Sequence, residues 1–312
     1  MLVTLVPGAD RANVERTLRE LHTDAYNVRA DAAGRAIHAA DRVVRYFQWA
    51  HSAARRLRGQ ITQADIDRLI LTRPYDRLMG MADGGTAGVA NGLVFAELTA
   101  RIDDLQVAAD TLAAEINRWA ATGRLIVADT NVYLDGEKFE HIDFAKLVDE
   151  RDAPLHILVP LVVVDELDNL KKSKDPHLRW RSRHTLAELD RLLVDPTRPA
   201  QFRPADFSPA QAEGGGVPRG EVTLELLLDP PRHIRLPIDD DEIIDRAVAV
   251  QILAGRQVIL LTYDTGMATR GRAAGLEVVK IPQLPDAPEP DQSRPARKGS
   301  KALRPTGQGS TT

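Results

Sequence analysis

The chain has 312 residues, 43% of them apolar and 28% charged, with a net charge of −4 and no cysteine. That length suffices for a sizeable core or two modest domains, and the missing cysteines exclude a disulfide scaffold and any thiolate zinc site. The acidic balance excludes a molecule that holds nucleic acid by overall charge alone.

The opening "MLVTLVPGAD" has neither the basic start nor the apolar stretch of a signal peptide. No run approaches the roughly 20 apolar residues of a membrane span. The expectation is a soluble, cytoplasmic protein with no membrane partner.

Residues 1–122 read as an all-α helical domain and contain no lysine. In 95–119, Phe95, Leu98, Ile102, Leu105, Ala109, Leu112, Ile116 and Trp119 recur at steps of three and four, an apolar seam at heptad-like spacing. Ala30, Ala33, Ile37, Ala40, Val44 and Phe47 repeat it in smaller residues. Two such helices either pack on each other or build a homodimer through residues 27–58 and 94–120. Between them, "RPYDRLMGMADGGTAG" reads as a turn-rich connector.

From residue 124 the period changes. Short apolar runs, Leu125–Ala128, Ile157–Val159 and Val258–Leu261, alternate with helical patterns, which predicts βαβ units and a parallel sheet over 123–284. The Pro/Gly-rich stretch 195–220 reads as a surface loop. After it, "EVTLELLLD" and "RHIRLPI" read as a two-stranded excursion. Residues 285–312 read as a disordered basic tail whose Arg294, Arg297, Lys298, Lys301 and Arg304 could add sequence-independent affinity for nucleic acid.

Four acids stand just past buried-strand patterns: Asp129 in "RLIVADTN", Glu166 in "HILVPLVVVDELDNLKK", Asp240 in "PIDDDEIIDRAVAV" and Asp264 in "VILLTYDTGMATR". In an alternating β/α chain such residues gather in the crevice beyond the carboxyl ends of the strands. With Pro160 in the first turn of its helix, Glu166 shares a face with Val162 and Leu170, whereas Asp165 lines up with Asp168 and Lys172 on a polar stripe. Asp240 precedes Ile243 and Ile244 at the start of a helix, where the dipole favours an anion. Asp241 and Asp245 form a second acidic column, and spacing leaves open which of Asp239, Asp240, Asp241 and Asp245 bind metal.

Two carboxylates about 4 Å apart repel by roughly 4 kcal/mol at an effective dielectric near 20. Either some protonate or a divalent cation resolves the conflict. A cysteine-free oxygen set suits Mg²⁺ or Mn²⁺, which points to an enzyme acting on phosphodiesters.

The ordered set "VADTNVYL", "VPLVVVDELDNLKK", "DDDEIIDRAV" and "LLTYDTGMATRGRAAGLEV", from about Arg124 to Pro282, resembles the PIN (PilT N-terminus) domain family of nucleases. The likeness is greatest to the PIN half of bacterial PIN–PhoH proteins. The resemblance implies an α/β fold, a three-layer α/β/α sandwich around a parallel sheet. It implies Asp129, Glu166, Asp240 and Asp264 as the metal-binding and catalytic acids, with Thr130, Asn131 and Thr262 orienting ligands or waters. The implied activity is Mg²⁺- or Mn²⁺-dependent cleavage of single-stranded RNA. No G-x-x-x-x-G-K-[ST] phosphate loop occurs in these residues, and the helical segment 1–122 has no counterpart in the resemblance.

After the Glu166 helix, Lys171, Lys172, Lys174, Arg179, Arg181 and Arg183 surround Trp180. Cations track a phosphate backbone and an indole stacks on an unpaired base, so this run is the candidate nucleic-acid surface. His177 and His184 flank it as surface or phosphate contacts. Three rivals remain: a structure-selective DNA nuclease, an aspartyl-phosphate phosphatase, and a non-catalytic module that binds RNA or protein. The phosphatase needs a second acid two residues after its nucleophile, but Asp129 is followed by Thr130 and Asn131.

Overall fold

The computed structural model describes residues 2–34, 39–81, 87–120, 123–208, 218–231 and 233–282. The predicted basic tail 285–312 and residues 209–217 of the predicted loop lie outside them.

Helix α1 (Arg11–Gly34) buries Val14, Leu18, Leu21 and Ala25, one stripe at steps of four and three. Helix α2 (Ala39–Leu57) buries Tyr46, Trp49, Ala50, Ala53, Ala54 and Leu57. Two short helices follow, α3 (Gln63–Leu69) and α4 (Arg73–Met81), then the long α5 (Ala87–Ala120). The seam of α5 packs on α1 and α2 of the same chain. Leu98, Ile102, Leu105, Ala109, Leu112 and Trp119 are buried, while Phe95 stays exposed.

Two expectations fail here. The alanine-rich repeat is not one buried face: Ala30 and Val44 are exposed, Ile37 lies outside the described residues, and α2 buries its aromatic stripe instead. Larger apolar area decides which side of a helix turns inward. The supposed connector contains α4, because Pro74 near a helix start costs no hydrogen bond and Tyr75 and Leu78 supply a buried face.

From Arg124 the chain forms a six-stranded sheet in the order β3-β4-β2-β1-β5-β6. Its strands are β1 (Arg124–Ala128), β2 (Leu155–Pro160), β3 (Ala200–Arg203), β4 (Val222–Leu227), β5 (Val258–Thr262) and β6 (Glu277–Lys280). All neighbours run parallel except β3 against β4. Strands β2 and β5 are buried throughout, as strands covered by helices on both faces must be. The covering helices include α6 (Thr130–Leu134), α7 (Phe144–Leu147), α8 (Leu161–Leu170), α9 (Pro176–Leu192), α10 (Asp239–Ala254) and α11 (Thr265–Ala273). The protein is thus an α/β/α sandwich preceded by a helical region.

The two-stranded excursion is a correction. "VTLELL" is β4, paired in parallel with the central β2, and its antiparallel partner β3 lies upstream in the stretch read as loop. A four-residue edge strand between prolines leaves too little periodicity to see. Pro160 ends β2 as the N-cap of α8 rather than lying within its first turn.

Up to Ile281 the chain is one compact unit with two cores. Ile252 and Leu253 of α10 pack on the helical core, and Trp119 of α5 belongs to the sheet core. Gly255 ends α10 at φ +62°, its N–H on the Gln251 carbonyl at 2.9 Å. Among the described residues, no helix is long and apolar enough to cross a membrane.

Candidate metal centre

Connections leave β1 and β5 in opposite directions across the sheet, toward β2 and β6. The crevice at their carboxyl ends is where an open α/β sheet presents a site. Asp129 follows β1 and caps α6; Asp264 follows β5 and caps α11. The Asp129 N–H donates to the Leu261 carbonyl at 2.9 Å, tying the two strand ends together. Thr262 joins the two acids: its hydroxyl donates to Asp129 Oδ2 at 2.9 Å and accepts the Asp264 N–H at 2.9 Å. The Asn131 N–H approaches Asp129 Oδ1 at 3.4 Å, and the Met267 N–H donates to Asp264 Oδ1 at 2.6 Å.

Glu166 reaches the crevice from α8, half-buried, and the Thr130 hydroxyl donates to its Oε2. Asp165 faces out, as its polar stripe predicts. The first turn of α10 carries Asp239, Asp240, Asp241 and Glu242. Asp240 Oδ2 accepts from Arg270 Nη2 at 2.5 Å, and Asp241 Oδ1 lies 3.1 Å from Arg270 Nη1. Asp245 turns to Arg246, at 2.5 Å.

Burial and like charge both act on the inner acids. Burial pushes the Asp129 carboxyl up, and the charges of Asp240 and Asp264 push the same way against hydrogen bonds from Thr262 and Asn131. Glu166 is pushed up to about 6, chiefly by burial, with the charges of Asp239, Asp129 and Asp240 adding to it against the Thr130 hydrogen bond. The donors are all oxygens, the set a hard divalent cation takes. Glu166, Asp240 and Asp264 each commit one oxygen to a named donor and leave the other free of hydrogen bonds among the described residues. The residues therefore fit Mg²⁺ or Mn²⁺ in chemistry. In spacing they stand open, for no three of the four bring oxygens within 4.8 Å of one another.

The described trio that does meet that distance is Asp229, His233 and Glu242, beside the crevice. His233 Nε2 lies 2.6 Å from Glu242 Oε1, the Leu236 N–H donates to Glu242 Oε2 at 2.9 Å, and Arg235 Nε donates to Asp229 Oδ2 at 2.7 Å. Arg246 Nε stands 3.4 Å from Glu242 as well. Two guanidinium groups already balance these acids, so we read the trio as a clip. Arg235 also reaches Asp165 on α8, so the loop between β4 and α10 is pinned to the helix carrying Glu166. Sequence reasoning missed both the trio and Arg270, since nothing in their spacing signals these contacts.

The proposed nucleic-acid run divides. Lys172, Lys174 and Arg183 are exposed and have no ion-pair partner among the described residues. Lys171 pairs with Asp168, and Arg179 Nη1 donates to the Ser173 carbonyl at 2.8 Å. Trp180 is 48% exposed and stacks on His184 with ring centroids 5.0 Å apart, while Lys138 Nζ lies 5.6 Å from its centroid. His184 is held by Glu140 at 2.7 Å. His177 is exposed at the start of α9.

Arg181 is a correction. It is buried and donates through Nε to the Leu134 carbonyl at 2.8 Å, and through Nη2 to the carbonyls of Tyr133 and Glu137. It shares the inward column of α9 with Thr185 and Leu189. Its charge is spent on the last carbonyls of α6 and the loop after it rather than on a ligand.

Acids beyond the carboxyl ends of a parallel sheet form an oxygen-only set of the kind a hard divalent cation takes. The family model described as the PIN domain matches residues 126–281, half of the chain, and the chain belongs to that family. PIN domains are in general metal-dependent nucleases that use divalent ions. No curated protein matches the chain.

Proposed function

We propose that this protein is a metal-dependent endoribonuclease that hydrolyses phosphodiester bonds of single-stranded RNA, close in type to the PIN half of PIN–PhoH proteins. The observation that carries this reading is the gathering of acids in one crevice, where burial, with the charges of neighbouring carboxylates adding to it, raises Asp129 and Glu166 together. Asp129, Glu166, Asp240 and Asp264 would hold Mg²⁺ or Mn²⁺, which when bound supplies positive charge and a water of lowered pKa. Asp129, fixed by Thr262, anchors the site. Glu166, ionised at neutral pH, orients the attacking water and can take its proton, because the Thr130 hydroxyl fixes one oxygen and leaves Oε1 free. Lys172, Lys174 and Arg183 follow the phosphate backbone, with Trp180 offering an indole to an unpaired base. Lys171 and Arg179 flank this surface with their charges partly spent.

The test is cleavage of end-labelled single-stranded RNA in Mn²⁺, Mg²⁺ or EDTA by the wild type and Asp129→Asn. Cleavage by the wild type alone, lost in EDTA, is the expected result. No metal-dependent cleavage of RNA by the wild type overturns the reading, and cleavage of branched DNA in the same assay would move the substrate to DNA.

A further inference from the structure

Arg270 is a cation within reach of the acidic crevice that the reading above does not use. It sits on α11, six residues beyond Asp264, and its two terminal nitrogens hold two different carboxylates, Asp240 at 2.5 Å and Asp241 at 3.1 Å. Its side chain is 40% exposed, so the guanidinium lies at the mouth of the crevice rather than in the core. A structural arginine such as Arg181 is buried on carbonyls. Arg270 instead spans two separate anionic oxygens, the arrangement a phosphodiester also presents to a guanidinium fork.

We propose that Arg270 exchanges roles as the site fills. In the metal-free protein it stands in for the cation at Asp240. When a divalent ion takes Asp240, the guanidinium is released to bind a non-bridging oxygen of the scissile phosphate. Arg270 is thereby both a competitor of the metal and a catalytic residue for the substrate. The open spacing of the four acids follows, since Asp240 is drawn toward α11 until the ion competes for it. This inference rests on the metal reading above.

The two roles have opposite signs, which a purely structural residue would not show. Removing one positive charge beside a divalent site tightens apparent Mn²⁺ affinity by roughly fivefold, read as the midpoint of the Mn²⁺-induced rise in melting temperature of the full chain. The same Arg270→Gln change lowers kcat for RNA by about ten- to a hundredfold, as loss of a charged transition-state contact does. Arg270→Lys keeps the charge without the fork. It should bind Mn²⁺ as the wild type does and still lose most of kcat, and it guards against a folding defect in the glutamine variant. Weaker or unchanged Mn²⁺ binding in Arg270→Gln, with the wild type responding normally, overturns the proposal. Absence of any Mn²⁺ response in the wild type overturns the metal reading itself and this proposal with it.

Discussion

Acids stand within this sheet and beyond the carboxyl ends of its strands, and the structure treats them in opposite ways. Within the sheet, Glu225 of β4, in register with Leu158 of β2, is almost fully buried, yet its carboxyl is held below the usual range. Burial alone would raise it, but hydrogen bonds from His156 and Arg118 outweigh that cost. His156 Nε2 lies 2.9 Å from Glu225 Oε2, and Nδ1 is 2.7 Å from the Thr223 hydroxyl. Arg118, at the end of α5, closes the network and ties the helical region to the sheet. Beyond the carboxyl ends, Glu166 is less buried and still pushed up to about 6, chiefly by burial, because the single Thr130 hydrogen bond does not offset it and the charges of Asp239, Asp129 and Asp240 add to it. Compensation within the sheet serves stability, and the lack of a cationic partner at Asp129 and Glu166 leaves room for a cation.

The widest separation between the two places should come from single substitutions. Asp129→Asn lowers RNA cleavage by two orders of magnitude or more, on the scale of lost electrostatic stabilisation. It leaves the fold intact and raises the metal-free melting temperature slightly, as like-charge repulsion is relieved. A large fall in that temperature would make Asp129 structural. His156→Ala should do the reverse: stability in urea drops by about 2 kcal/mol, as a buried carboxylate loses a partner, while cleavage per folded molecule stays within twofold.

A smaller effect separates cations that are free from those that are spent. Lys172→Ala, Lys174→Ala and Arg183→Ala together should lessen the salt dependence of RNA binding by about one unit of log–log slope per lost phosphate contact. Arg181→Ala should leave that slope unchanged and lower the melting temperature.

The smallest effect is on pH dependence. Glu166 has an ordinary value of 4.5 and lies near 6 in the metal-free fold, so the native state binds its proton more tightly than the unfolded chain does. Its contribution to stability is full below 4.5 and is lost as pH rises through 6. Glu166→Gln should flatten this part of the metal-free melting curve against pH.

Local chemistry explains what could be read from the sequence. Asp129 directly follows an apolar run, and Asp264 follows one by way of Thr262 and Tyr263, so their places at strand ends needed no long-range information. Glu166 emerged from helical period, since Val162 is buried and Asp165 exposed on the same helix. The failures are long-range or of mixed polarity. Arg181 lies on an inward column with Thr185, which carries no apolar period, and its carbonyl partners lie more than 40 residues upstream. The Arg270 fork closes on Asp240, 30 residues upstream, and on its neighbour Asp241. β3 is four residues long and acquires meaning only by pairing with β4.

The most direct test of the difference between the two places is where a divalent ion settles. Crystals soaked in Mn²⁺ and measured for anomalous scattering should show a peak among Asp129, Glu166, Asp240 and Asp264, with Arg270 moved off Asp240. A peak confined to Asp229, His233 and Glu242, or none at either place, would contradict the account.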